Sequence, residues 1–112
     1  MMNMRLKLVR NAPEKLKQGV LYISEEYGSV LHLCPCGCQN EVITPLGPGG
    51  WQLTFNGRVA SLYPSVELWS LPCRSHYWIR NNTVAWVQGT GPGQKTKLKA
   101  WIKYILSGLR RR

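Results

Sequence analysis

Three cysteines crowd into five residues, Cys34-Pro35-Cys36-Gly37-Cys38, and a fourth, Cys73, follows 35 residues later. A structural zinc site takes four ligands in a tetrahedron, commonly from two separated pieces of chain, so that the ion ties the pieces together. Cys34, Cys36 and Cys38 would supply one piece and Cys73 the other. Gly37 allows a tight turn between two ligands, and Pro35 stiffens the approach. The alternative, two disulfides, suits the pattern poorly, because cysteines two apart on an extended chain reach disulfide geometry with difficulty. His76 lies three residues after Cys73. Cys-x-x-His is itself an ordinary ligand spacing, so His76 could stand in for one cysteine, with Cys34 the one it would displace.

The chain has 112 residues, 44% apolar and 18% charged, which predicts one globular domain with one modest core. Seven prolines and eleven glycines imply many turns and few long elements. No apolar run approaches the ~18 residues that span a bilayer. Met1 to Arg10 alternates charge and hydrophobe, unlike the apolar core of an export signal. A soluble, cytoplasmic protein is the expectation.

Alternation and turn residues predict a mostly β fold. Met4–Val9 reads as an edge strand, Pro13–Gln18 as at most a turn of helix, and Gly19–Ser24, Val30–Leu33 and Glu41–Thr44 as strands. Pro45 to Gly50 is a loop by composition. Trp51–Phe55 and Arg58–Leu62 flank Asn56-Gly57, a strong two-residue turn signal, and His76–Arg80 and Thr83–Val87 flank Asn81-Asn82. Two hairpins follow. The expected fold is a small antiparallel, zinc-ribbon-like sheet over residues 1–94, followed by a C-terminal amphipathic helix over residues 95–112.

The formal charge of +10 is unevenly placed. Residues 95–112 hold seven Lys and Arg and no acid, leaving a nearly ordinary body. Leu98, Trp101, Ile102, Ile105 and Leu109 fall on one helical face with the cations largely off it. Such a helix could pack on the sheet, or bind a partner or an anionic membrane surface. Nucleic acid fits less well, since the body lacks a second basic patch and its aromatic residues do not alternate with basic ones. Trp51, Trp69, Trp78 and Trp86 are read as core residues.

Two motifs go further. His32-Leu33-Cys34-Pro35-Cys36-Gly37-Cys38 and Pro72-Cys73-Arg74-Ser75-His76-Tyr77-Trp78-Ile79, with Thr44-Pro45-Leu46, Trp51, Ser61-Leu62-Tyr63-Pro64-Ser65, Val84 and Trp86 between and after them, resemble a bacterial family. Its members are small proteins encoded beside ubiquitin-like, ubiquitin-activating and ubiquitin-conjugating homologues in bacterial ubiquitination-like (Bub) operons. The resemblance covers about residues 19 to 87. It implies a zinc-containing, serine-type peptidase, deubiquitinase-like, that trims or removes the ubiquitin-like protein. It also implies the operon's activating and conjugating homologues as partners and a role in antiviral defence.

Such chemistry needs a nucleophile, a base within hydrogen-bond reach and donors for the oxyanion. His76 leads as base, and Ser75 and Ser65 are equal candidates for nucleophile. Ser75 and His76 would point to opposite faces of a regular strand, so their pairing requires a bulge; Ser65 could meet His76 across strands. The chain has no aspartate, so the group orienting His76 would be one of its five glutamates, Glu67 or Glu41 foremost, or else a backbone carbonyl. His32 is expected to bond a backbone group. Two other classes compete: a zinc-binding adaptor without activity, and an enzyme whose zinc is itself catalytic, which needs a ligand position open to water.

Overall fold

A computed structural model describes residues 2–91. Nine strands are formed among the described residues: β1 Met2–Asn3, β2 Arg5–Val9, β3 Val20–Ser24, β4 Ser29–Leu33, β5 Glu41–Pro45, β6 Gln52–Phe55, β7 Ala60–Glu67, β8 His76–Arg80 and β9 Thr83–Trp86. They make two sheets, a five-stranded one in the order β1-β9-β8-β7-β6 and a four-stranded one in the order β2-β3-β4-β5. The strands and turns stand close to where alternation placed them.

The architecture differs from the single antiparallel ribbon-like sheet expected from sequence. Two sheets share the chain, and β2 and β3 pair in parallel, Arg5 opposite Val20 through Val9 opposite Ser24. A parallel pair needs a crossover between its strands. Residues 10–19 supply it, and Leu16 packs there with Val20, Tyr22, Leu31 and Leu33. Both faces of β3 and β4 are thereby covered, and all ten of their residues are buried. No helix forms in Pro13–Gln18 or elsewhere among the described residues. None is therefore long and apolar enough to cross a membrane. The helix expected over residues 95–112, and the boundary drawn at 94, lie outside the described residues.

The main core draws on both sheets. Leu21, Ile23, Val30 and Val42 from the four-stranded sheet meet Leu62, Val66, Tyr77, Ile79 and Val84 from the other. Burying each large aliphatic side chain contributes about 1.5–3 kcal/mol. Strand period puts the alternate residues of β7 and β8 outside: Ser61, Tyr63, Ser65 and Glu67 on β7, and His76, Trp78 and Arg80 on β8.

β7 departs from regular pairing at one place. Leu62 is opposite Ile79 and Val66 is opposite Tyr77, so four residues of β7 span what two residues of β8 span. The surplus is a bulge at Tyr63-Pro64-Ser65, which contains the cis Tyr63-Pro64 bond. Bulges re-aim side chains locally, and this one ends on Ser65.

Candidate active site and cysteine cluster

The cysteine cluster forms where β4 ends. Cys34 is fully buried and its amide donates to Asn40 O at 2.9 Å, closing the Cys34–Asn40 loop. Gly37 (φ 92°) and Gln39 (φ 69°) make the left-handed turns that bring the loop back. Cys73 arrives from the β7–β8 loop, whose Leu68 amide donates to Ser75 O at 2.8 Å and whose Arg74 amide donates to Leu71 O at 3.0 Å. The four Sγ atoms lie within 4.8 Å of one another, and the residues could hold a metal ion.

The donor set fits such an ion. Cys34 Sγ is 3.4 Å from Cys36 Sγ and 3.9 Å from Cys73 Sγ, close to the ~3.8 Å edge of a tetrahedron with ~2.3 Å metal–sulfur bonds. These separations are far beyond a disulfide bond of ~2.05 Å, and none of the four cysteines is in a disulfide. Burial pushes the Cys34 thiol well above its ordinary range, against an opposing hydrogen bond with Ser75. At Cys73 burial also raises the thiol, but hydrogen bonds from Ser75, Cys38 and Cys34 outweigh it and the net shift is downward. A bound cation would supply the charge that holds such a crowded set as thiolates.

His76 is not in the cluster. Its Nε2 lies 2.8 Å from Ser65 Oγ and 3.3 Å from Glu67 Oε1. Glu67 and His76 are directly opposed residues of β7 and β8, and Ser65 stands two residues before Glu67, at the end of the bulge. The backbone of His76 is pinned as well, its carbonyl accepting from the Val87 amide at 3.0 Å and from Thr90 Oγ1 at 2.7 Å.

Ser75 lies on the other side of the sheet. It is fully buried, with Oγ 3.4 Å from Cys34 Sγ. Ser75 and His76 thus face opposite ways, as strand geometry requires, one toward the cluster and the other toward Ser65 and Glu67. Glu41, the other carboxylate considered, begins β5 in the other sheet, opposite Leu33.

Two aromatic residues read as core prove otherwise. Trp69 is 53% exposed; its Nε1–H donates to Glu67 Oε2 at 2.9 Å, and its ring meets the His76 ring edge to face at 5.5 Å. Trp78 is half-buried on the outer face between Tyr63, at 6.0 Å between ring centroids, and the Arg80 guanidinium, 4.5 Å above its ring. Trp51 and Trp86 do pack against the core. The sequence signal that could have singled out Trp69 is its place two residues after Glu67, at the mouth of the loop that carries Cys73.

His32 bonds a side chain rather than the backbone, with Nε2 2.6 Å from Tyr77 Oη. Burial lowers His32 to about 4, so it is neutral near pH 7, and burial pushes the Tyr77 hydroxyl well above its ordinary value. The pair lies behind the cysteines inside the core.

No curated protein and no solved structure matches the chain. A family model does, over residues 8–87, a span that contains every strand from β3 to β9, all four cysteines and the Ser65–His76–Glu67 group. The chain belongs to the family of bacterial ubiquitination-like system serine proteases, BubE.

Proposed function

We propose that this protein is a zinc-stabilised serine peptidase in which Ser65 is the nucleophile and His76 the general base, acting on the ubiquitin-like protein of its operon. The observation that carries the reading is the 2.8 Å contact between Ser65 Oγ and His76 Nε2 on the exposed face of the sheet. Ser65 is only half-buried on that face, whereas Ser75 is fully buried beside Cys34.

The chemistry follows from the proton positions. With Nε2 unprotonated, His76 accepts the Ser65 O–H, and the imidazole carries its proton on Nδ1. As Ser65 Oγ attacks the substrate carbonyl, its proton passes to Nε2. The imidazolium then returns a proton to the leaving amine or alcohol, and water resolves the acyl-enzyme. Glu67 Oε1 faces the same Nε2. It can accept no hydrogen bond from that nitrogen until the proton has moved, so its part is to stabilise the imidazolium as it forms. Cys34, Cys36, Cys38 and Cys73 would hold a structural zinc ion between them, which would leave His76 free to act as base.

The test is cleavage of the operon's ubiquitin-like precursor by the purified protein, read as C-terminal trimming by mass. Wild type and Ser75→Ala should trim it; Ser65→Ala and His76→Ala should not. Trimming that survives Ser65→Ala and stops in Ser75→Ala would transfer the nucleophile to Ser75. Binding of the precursor without any trimming would favour a non-enzymatic adaptor for the ubiquitin-like protein or its conjugating enzymes.

A further inference from the structure

The outer face of the five-stranded sheet continues past the Ser65–His76 pair. Along β8 the side chains of His76, Trp78 and Arg80 stand in a row, and β7 sets Ser65, Tyr63 and Ser61 beside them. At the far end of this row lies a groove of about 250 Å³ lined by Thr54, Ser61, Leu62, Tyr63, Trp78 and Arg80. The Tyr63 and Trp78 rings form its aromatic wall, with a 35° tilt between them.

The charge at that end makes no ion pair among the described residues. Arg80 lies over Trp78 at 4.5 Å, which fixes the guanidinium while leaving its fork of N–H donors in use by no carboxylate among the described residues. Arg58 sits at the same end, on the β6–β7 turn, where its carbonyl accepts from Asn82 Nδ2 at 3.3 Å. The acid of this face, Glu67, is at the opposite end and is engaged by His76 and Trp69. A guanidinium held over an indole is preorganised for pairing with a carboxylate.

We propose that this groove is a substrate subsite in which Arg80, stacked on Trp78, binds an acidic side chain of an extended segment of the protein substrate. The inference rests on the Ser65–His76 reading for where the scissile bond lies. Arg80 is four residues from His76 along one strand, ~13 Å at ~3.3 Å per residue. An extended peptide on this face therefore places the recognised Asp or Glu about four residues from the bond that is cut. Tyr63 and Trp78 would cover the intervening backbone, and the carboxylate fixes the register.

Two measurements test it. The first is steady-state trimming of the operon's ubiquitin-like precursor at low and high salt by wild type, Arg80→Lys, Arg80→Ala and Arg80→Glu. KM should rise about 10-fold in Arg80→Ala and further in Arg80→Glu, with kcat within twofold. Arg80→Lys should recover part of the loss. The wild-type KM should climb with salt and that of Arg80→Ala should stay nearly flat. The second is direct binding of the same precursor to Ser65→Ala, alone and combined with Arg80→Glu, which does not depend on turnover. Weaker binding in the double variant supports the subsite even where trimming is absent, in which case the peptidase reading alone falls. Equal binding by the two Ser65→Ala proteins, no binding by either, or a KM in Arg80→Glu within twofold of wild type at both salt concentrations, overturns the subsite.

Discussion

Ser75 and His76 are consecutive residues that serve opposite faces of one sheet: Ser75 Oγ lies 3.4 Å from Cys34 Sγ inside, and His76 Nε2 lies 2.8 Å from Ser65 Oγ outside. The entry of β8 is therefore shared between the cysteine cluster and the candidate active site. Cys73 joins the β7–β8 loop to the end of β4, so whatever fixes Cys73 also fixes the register at which Glu67 opposes His76.

Metal removal should expose that coupling. A structural ion that binds only the folded chain stabilises it directly, and without one the cluster is four crowded thiols, one of them fully buried. Chelation of the purified protein, or Cys73→Ser, is expected to lower Tm by well over 10 °C and to abolish trimming. Zinc should restore both in the chelated wild type and neither in Cys73→Ser. Metal analysis of the untreated protein should give one zinc per chain. A chelated protein that keeps its Tm and activity would remove the structural role assigned to the ion.

Ser75→Ala separates structure from chemistry. Its hydroxyl is fully buried and interacts with the thiols of Cys34 and Cys73. Losing such a hydrogen bond costs about 1–2 kcal/mol, which for a domain of this size is a fall in Tm of roughly 4–16 °C. The kcat of the folded variant should remain within about threefold of wild type. Thermal melts and trimming assays on the same preparations check both halves of the expectation.

Glu67 and Trp69 form one unit, and their variants should grade accordingly. Glu67→Gln keeps the shape and the cross-strand position but removes the charge that meets the imidazolium, so kcat is expected to fall ~10-fold or more with KM little changed. Trp69→Phe keeps the ring against His76 but loses the 2.9 Å donation to Glu67 Oε2. Its kcat should fall by a smaller factor, and combining it with Glu67→Gln should add little, because both changes act through the same carboxylate. Full additivity in the double variant would show that Trp69 acts elsewhere.

Much of this was legible in the sequence, for physical reasons that particular residues make plain. Alternation and the Asn-Gly and Asn-Asn turns located the strands, since burial on one face imposes a period of two. The thiols announced themselves because three cysteines in five residues have few other uses. Strand pairing was not legible: nothing local in Arg5–Val9 tells that it will lie parallel to Val20–Ser24, a pairing that depends on how residues 10–19 cross over, where Leu16 packs. The nearness of Ser65 to His76 was open for a similar reason. It depends on a bulge in β7, and sequence spacing alone left Ser65 and Ser75 equal. Trp69 was misread because a large aromatic residue is usually buried, whereas here its indole N–H is spent on an exposed carboxylate.

The His32–Tyr77 pair gives a last expectation, one that concerns stability alone. Tyr77 fills the core behind the cluster and its hydroxyl meets His32 Nε2 at 2.6 Å, with His32 Nδ1 buried and without a hydrogen-bond partner among the described residues. Tyr77→Phe preserves the ring and its edge-to-face contacts with His32 and Trp86 but leaves both ring nitrogens of a buried imidazole without partners. The cost is about 1–3 kcal/mol, so Tm should fall by roughly 4–24 °C. His32→Phe combined with Tyr77→Phe removes both polar groups together, and the double variant should regain part of that stability, because two apolar rings leave no unpaired group behind. A double variant less stable than Tyr77→Phe would show that His32 does more than partner Tyr77. Its Nδ1 would then be the atom to follow, by nitrogen NMR of the labelled imidazole with and without zinc.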